Sequence, residues 1–150
     1  MDDYKSTIPE IELKFKRGET FKQKITCSND MAKLLGQFYD QDTIELTESV
    51  IVIFLSRAIV TIGWMKHSSG GMAQSTIDKK LILATALKCG ANGIILSHNH
   101  PSGSLQPSNE DTNITQKLKE ACKILDLDLL DHIIYTTNGY YSYADNGLMF

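Results

Sequence analysis

Positive charge is scarce in this chain. Fifteen Lys and Arg stand against 18 Asp and Glu, for a formal net charge of −3. A surface that holds nucleic-acid backbones by bulk charge needs an excess of Lys and Arg, so the balance argues against that class of function. One segment departs from it, where Lys14, Lys16, Arg17, Lys22 and Lys24 crowd together; the same residues equally suit the solvated face of a hairpin. Cysteine is sparse too. Cys27, Cys89 and Cys122 are an odd set with no CxxC pair, which argues against a disulfide framework and suits a reducing compartment. Long apolar runs are missing: stretches such as Val50 to Leu55 fall far short of the roughly 20 residues that cross a bilayer. The start, Met1-Asp2-Asp3-Tyr4, has neither a basic nor an apolar leader region. These absences predict a cytoplasmic protein with no membrane partner.

What is present is a globular composition, with 42% apolar and 22% charged residues over 150 positions, enough for one domain with a buried core. Ile11, Leu13 and Phe15 alternate with charged residues, the period of a half-buried strand. With Arg17-Gly18-Glu19 as a turn, Phe21 to Cys27 reads as its returning strand. Ser28 is a candidate cap for a helix over 29–39, with Met31, Leu34, Leu35 and Phe38 on one face. Val50 to Leu55 is β-branched and apolar throughout, as in a strand buried on both faces; Ala58 to Met65 is its antiparallel partner, and His67 to Met72 a loop. Ser75-x-x-Asp78 opens a helix that stops at Cys89, before Gly90. Gly93 to Ser97 is a short buried strand, His98 to Pro107 a loop, and Ser108 opens a helix reaching Leu125. Leu127 to Thr136 and Tyr140 to Ala144 form a closing hairpin around Thr137-Asn138-Gly139. This order predicts an α+β fold, a mixed and mainly antiparallel curved sheet flanked by helices.

Chemistry concentrates in Ser97-His98-Asn99-His100-Pro101-Ser102-Gly103 and Pro107-Ser108-Asn109-Glu110-Asp111. His98 and His100 are two apart on an extended chain, so both imidazoles face one way. Asp111 falls in the first turn of the next helix, and the loop between is long enough to fold that helix start onto the strand end. Two imidazoles and a carboxylate make three corners of a tetrahedral metal site, the pattern of a catalytic zinc with one open position. Hydrolysis also needs a proton acceptor beside the attacking water. Glu45, Glu48 and Asp42 are upstream candidates, and spacing does not choose among them. Ser108-x-x-Asp111 is equally a capping box, which needs no metal; one helix start can serve both ends.

His98-x-His100, seven residues, then Ser108-x-x-Asp111, with an upstream Glu, resembles the JAMM motif of MPN-domain metalloproteases. The likeness is closer to the bacterial RadC family, through His98-Asn99-His100-Pro101-Ser102-Gly103, Leu130-Asp131-His132-Ile133-Ile134 and Gly139-Tyr140-Tyr141-Ser142-Tyr143-Ala144. It covers roughly residues 29 to 150, the RadC-like JAMM/MPN domain, with residues 1–28 as an N-terminal β-hairpin extension of the same domain. The resemblance implies an MPN-like fold with cytidine-deaminase-like layering. It implies that His98, His100 and Asp111 hold Zn2+, and that Glu48, seven residues before Leu55, takes a proton from the attacking water and passes it to the leaving amine. Ser108 would steady the tetrahedral oxygen. The reaction implied is hydrolysis of a peptide or isopeptide bond in an unidentified protein or peptide. Larger RadC proteins carry an N-terminal helix-hairpin-helix for DNA. This chain reads as a short form without it, which weakens the family's DNA-repair association here.

Two alternatives stand beside a hydrolase. A DNA-processing or nuclease factor tied to DNA repair would need a basic surface next to the site. A non-catalytic MPN scaffold would tolerate lost ligands. The letters His-Asn-His do not make an HNH nuclease, whose residues are spread over a ββα unit, and the zinc-deaminase pattern with Pro-Cys-x-x-Cys is absent. His132, among apolar neighbours, reads as a hydrogen-bonded structural histidine or as a residue orienting a ligand. His67 reads as a surface histidine; Trp64, Tyr140, Tyr141 and Tyr143 read as packing residues. A strand edge over residues 9–27 could pair with a second copy of the chain.

Overall fold

The computed structural model of the chain describes residues 11–12, 14–16, 22–69 and 77–149. In order, the elements are α1 (Ser28–Leu35), β1 (Ser49–Leu55), β2 (Thr61–Ser69), α2 (Lys79–Cys89), β3 (Gly93–Asn99), α3 (Asn109–Ile124), β4 (Asp128–Thr136) and β5 (Gly139–Ser142). The strands form one sheet in the order β2-β1-β3-β4-β5. β1 is antiparallel to both β2 and β3, and β4 to β5; only β3 and β4 run parallel. A parallel pair needs a long crossover, and α3 supplies it. The fold is therefore α+β, with a mixed, mainly antiparallel sheet flanked by helices, as the pattern predicts.

Period-two alternation sorts β1 and β3 between two cores. Val50, Val52, Phe54, Ile94 and Leu96 pack with Ile82 and Ala86 of α2 and with Leu118 and Cys122 of α3. Ile51, Ile53, Leu55 and Ile95 pack on the opposite face with Met31, Leu34 and Leu35 of α1. Both strands are buried along their whole length, which explains their nearly unbroken apolar sequences. β3 is longer than its apolar run implies, because His98 and Asn99 continue it instead of starting a loop.

Several local expectations are corrected. Among described residues 11–12, 14–16 and 22–27 there is no strand, and Lys24 makes only an isolated antiparallel bridge with Val60. The returning strand of the expected hairpin is thus not formed over the described residues 22–27, and its turn lies outside the described residues. The alternation there buries little: Ile11 is 89% exposed and Phe15 47%. Cys27, not Ser28, holds the N-cap position of α1, whose first turn is tied instead by Asp30 accepting from the Thr26 N–H and hydroxyl. That helix ends at Leu35, where Tyr39 is drawn to the sheet: its ring stacks on Tyr135 at 5.1 Å and its hydroxyl meets Ser97 Oγ at 2.8 Å. Phe38 stacks on Trp64 of β2 at 4.2 Å.

β2 starts at Thr61 rather than near Ala58 and runs on to Ser69, so His67 sits in a strand and not in a loop. There its Nε2 accepts the Asp78 N–H at 2.8 Å. Asp78 itself caps α2, accepting from Lys80 and Leu81 N–H, and Gly90 ends that helix in the left-handed region at φ +69°. Ser75 lies outside the described residues. β5 spans Gly139–Ser142, and Tyr143 turns inward, fully buried. No described helix is long and apolar enough to cross a membrane.

Candidate metal centre

Register sets the site. Val50 faces His98 across the antiparallel β1–β3 pair; Glu48 and His100 lie two positions further on, each one residue past the end of its strand, so continuing the same register brings them opposite one another. Directly opposed residues share a face, and here it is the face that carries α3. Ser108 starts that helix with a complete capping box: its Oγ accepts the Asp111 N–H at 3.0 Å, and Asp111 Oδ2 accepts the Ser108 N–H at 2.8 Å. The box fixes the Asp111 carboxylate at the helix mouth, over the end of β3.

Three ligand atoms converge there. His98 Nε2 and His100 Nε2 are 2.9 Å apart. Asp111 Oδ1 is 3.3 Å from His98 Nε2, and Oδ2 is 3.5 Å from His100 Nε2. Zinc bonds of about 2.0–2.1 Å in a tetrahedron put neighbouring ligand atoms about 3.3 Å apart, so the spacing suits that ion. His100 Nδ1 lies 2.7 Å from the carbonyl of Ser104, to which it donates. A neutral His100 then presents the Nε2 lone pair to the centre. A second imidazole nitrogen at hydrogen-bond distance and two carboxylate oxygens beside it form a donor set that a cation satisfies. The donor set is one that fits zinc, and the capping box that Ser108-x-x-Asp111 forms does not take Asp111 out of that set.

The same contacts set the electrostatics of the cluster. Burial works to raise the Asp111 carboxyl, but the neighbouring His100 and His98 imidazoles, with the Ser108 N–H, outweigh it and hold the group well below the usual carboxylate range. The hydrogen bond to Asp111 raises His100 against the opposing effect of burial. Burial raises Glu48, as does the negative charge of Asp111, while His98 pulls it down. A carboxylate moved upward toward neutrality is a better proton carrier at neutral pH. Glu48, Ser108, Glu110 and Ile77 line one cleft of about 150 Å³ with His98, His100 and Asp111. Of the other upstream acids, Glu45 accepts from Thr137 at 3.0 Å.

The RadC-like JAB domain family matches residues 25–148. The chain belongs to this family. It is 40% identical over 130 residues to a UPF0758 protein of Flavobacterium johnsoniae, covering 84% of this chain and 54% of the relative. It is 36% identical over 142 residues to a UPF0758 protein of Aquifex aeolicus, covering 95% and 59%. A UPF0758 protein of Clostridium botulinum is 37% identical over 140 residues, covering 90% and 60%. The chain therefore spans little more than half the length of these relatives.

Three residues around this JAB-type centre carry more than their types suggest. Asn99 points to the face opposite His98 and His100 and is fully buried. Its Nδ2 donates to the carbonyls of Ile44 and Thr47 at 2.7 and 2.9 Å, and its Oδ1 accepts the Ser49 N–H at 2.7 Å. Asn99 thus clamps the segment that carries Glu48. His132 is fully buried and stacks on Tyr143 at 5.0 Å. Burial, then the charge of His98, hold it well below the usual histidine value. It reaches His98 Nδ1 at 2.8 Å and Thr115 at 2.5 Å. The expected structural histidine is therefore wired to a candidate ligand. Asn99 and Thr115 are missed in the sequence reading; the signals that would find them are strand alternation past His98 and the i, i+4 spacing of Asp111 and Thr115 on one helix face.

Proposed function

We propose that this RadC-like JAB domain is a zinc-dependent hydrolase of the JAMM type, cleaving a peptide or isopeptide bond. The convergence of His98 Nε2, His100 Nε2 and the Asp111 carboxylate within 2.9–3.5 Å of one another, in a cleft shared with Glu48 and Ser108, carries this reading. Zinc held by those three residues supplies Lewis acidity, polarising a carbonyl and acidifying water. Glu48 takes the proton of the attacking water on its carboxylate and returns it to the departing nitrogen. Ser108 Oγ accepts from the helix, and its own hydrogen is left to donate to the carbonyl oxygen as negative charge builds there. The register of β1 on β3 and the capping box hold both groups in place before substrate arrives, which is how such donors gain their effect.

The test begins with metal. Purified protein is expected to take up one zinc per chain. Free zinc at about 100 times its dissociation constant stabilises a protein by about 2.7 kcal/mol, or roughly 5–10 °C in melting temperature for a domain of this size. Protein that neither retains zinc on metal analysis nor melts higher with added zinc would overturn the reading. Glu48→Gln is expected to keep its zinc while hydrolysis of peptide or isopeptide substrates falls about 100-fold or more, the usual contribution of a positioned base. A Glu48→Gln protein as active as the wild type would remove Glu48 as the base.

A further inference from the structure

The hydrogen bonds behind His98 run in one direction only. Thr115 has a single hydroxyl hydrogen. Its Oγ1 lies 2.6 Å from the backbone carbonyl of Asp111, which can only accept, so the hydrogen is spent there. The 2.5 Å contact between Thr115 Oγ1 and His132 Nδ1 must then be an N–H donated by the ring. A neutral imidazole with its hydrogen on Nδ1 has a lone pair on Nε2. That lone pair faces His98 Nδ1 at 2.8 Å and must accept from it. His98 is thereby left with a lone pair on Nε2, directed at His100 and Asp111.

We propose that Thr115 and His132 form a positioning relay that fixes the tautomer and ring orientation of His98 for metal binding. The inference rests on the zinc reading above. The relay starts and ends on one residue: the Asp111 carbonyl accepts from Thr115, and the Asp111 carboxylate sits 3.3 Å from His98 Nε2. The helix turn that supplies one ligand thus also sets which nitrogen of another is free. Partners that orient metal-binding histidines are commonly carboxylates or carbonyls. Here the partner is a second histidine, and a neutral imidazole has two tautomers. Without Thr115, His132 could place its hydrogen on Nε2, and His98 would be driven to the opposite form, with its own hydrogen pointing into the centre. Thr115 removes that choice.

Two measurements test the relay. In zinc-free wild-type protein, long-range proton–nitrogen spectra of the imidazoles are expected to show both His98 and His132 protonated on Nδ1. A His98 or His132 protonated on Nε2 alone would overturn the relay, with or without metal. In chelator competition, Thr115→Val is expected to bind zinc about 10-fold more weakly, the lower end of the loss usual when a ligand's direct outer partner is removed, because Thr115 acts one step further out through His132. Thr115→Ser keeps the hydroxyl and is expected to come back to within about threefold of the wild type. A folded Thr115→Val protein with wild-type zinc affinity would overturn the relay while leaving the zinc site intact. If Thr115→Val does not fold, the wild-type spectra decide alone. Wild-type protein with the expected tautomers that takes up no zinc overturns the zinc reading, and with it the relay's role.

Discussion

If zinc occupies the centre as proposed, a His100→Ala protein is expected to stay folded and to lose it. Of the two histidines, His100 is the cleaner one to remove. It lies just past the end of β3 and keeps some contact with solvent, whereas His98 is buried at 2% exposure and its loss would leave a cavity beside His132. What the fold loses is chiefly the His100 Nδ1–H bond to the Ser104 carbonyl, a net contribution of about 1 kcal/mol. The metal loses a ligand outright. Removing only the outer partner of such a ligand costs about 10–100-fold in affinity, so removing the ligand is expected to cost more than about 100-fold. Chelator competition reads the affinity and a thermal melt reads the fold; a variant that binds zinc within about threefold of the wild type would exclude His100 from the site.

The same residue gives the pH dependence its sign. In zinc-free protein the hydrogen bond to Asp111 raises His100. A histidine raised on folding stabilises the protein below its unfolded pKa, about 6.5, and that contribution is lost as pH climbs through the folded value. Zinc-free wild type should gain on His100→Ala as the pH falls toward about 6. Zinc affinity should move the other way over the same window, because the proton and the metal compete for one nitrogen.

Much of this centre could be read along the chain, because its parts obey local rules. The two-residue spacing of His98 and His100 on an extended segment puts both rings on one face, and they lie together. Ser108-x-x-Asp111 is a helix-start signature, and it forms a full capping box. Glu48 needed more than a local rule. Its place opposite His100 follows from the register of β1 on β3, which is tertiary information, and only the resemblance singled it out among the upstream acids. The strands expected of an N-terminal hairpin are missing among the described residues for the converse reason. Alternation at residues 11–15 shows that a strand could form, not that a partner exists to bury its apolar side, and Ile11 and Phe15 remain largely exposed. The end of α1 was equally hidden, since it is set by Tyr39 reaching Ser97 some 58 positions away.

Losing Asn99 is expected to cost more stability than losing His100, although Asn99 lies between two candidate ligands and touches neither side of the metal chemistry. β3 uses its alternation twice. His98 and His100 turn toward α3, while Asn99 turns toward α1 and satisfies one N–H and two carbonyls on the chain leading into β1. Asn99→Ala leaves Ser49 N and the Ile44 and Thr47 carbonyls without that partner in a buried setting. At about 1–3 kcal/mol for each group left unsatisfied, with partial relaxation, a loss of about 3–5 kcal/mol is expected, or about 6–20 °C in melting temperature. Zinc binding should survive in the folded fraction, because the ligands face the other way.

Asn99→Asp separates lost hydrogen bonds from lost packing. The new carboxylate keeps the shape and can still accept from Ser49, but when ionised it opposes two carbonyl oxygens that now meet no donor. Its pKa should therefore rise on folding. A carboxyl raised in the folded state is best tolerated where it is protonated, and the tolerance is lost as pH rises through the folded value. Asn99→Asp should thus be closest to the wild type near pH 5 and fall away toward about pH 7.5, whereas the deficit of Asn99→Ala should hardly change over that range. Melts of the two variants with equal, pH-independent deficits would show that Asn99 contributes through its volume and not through the clamp on the Glu48 segment.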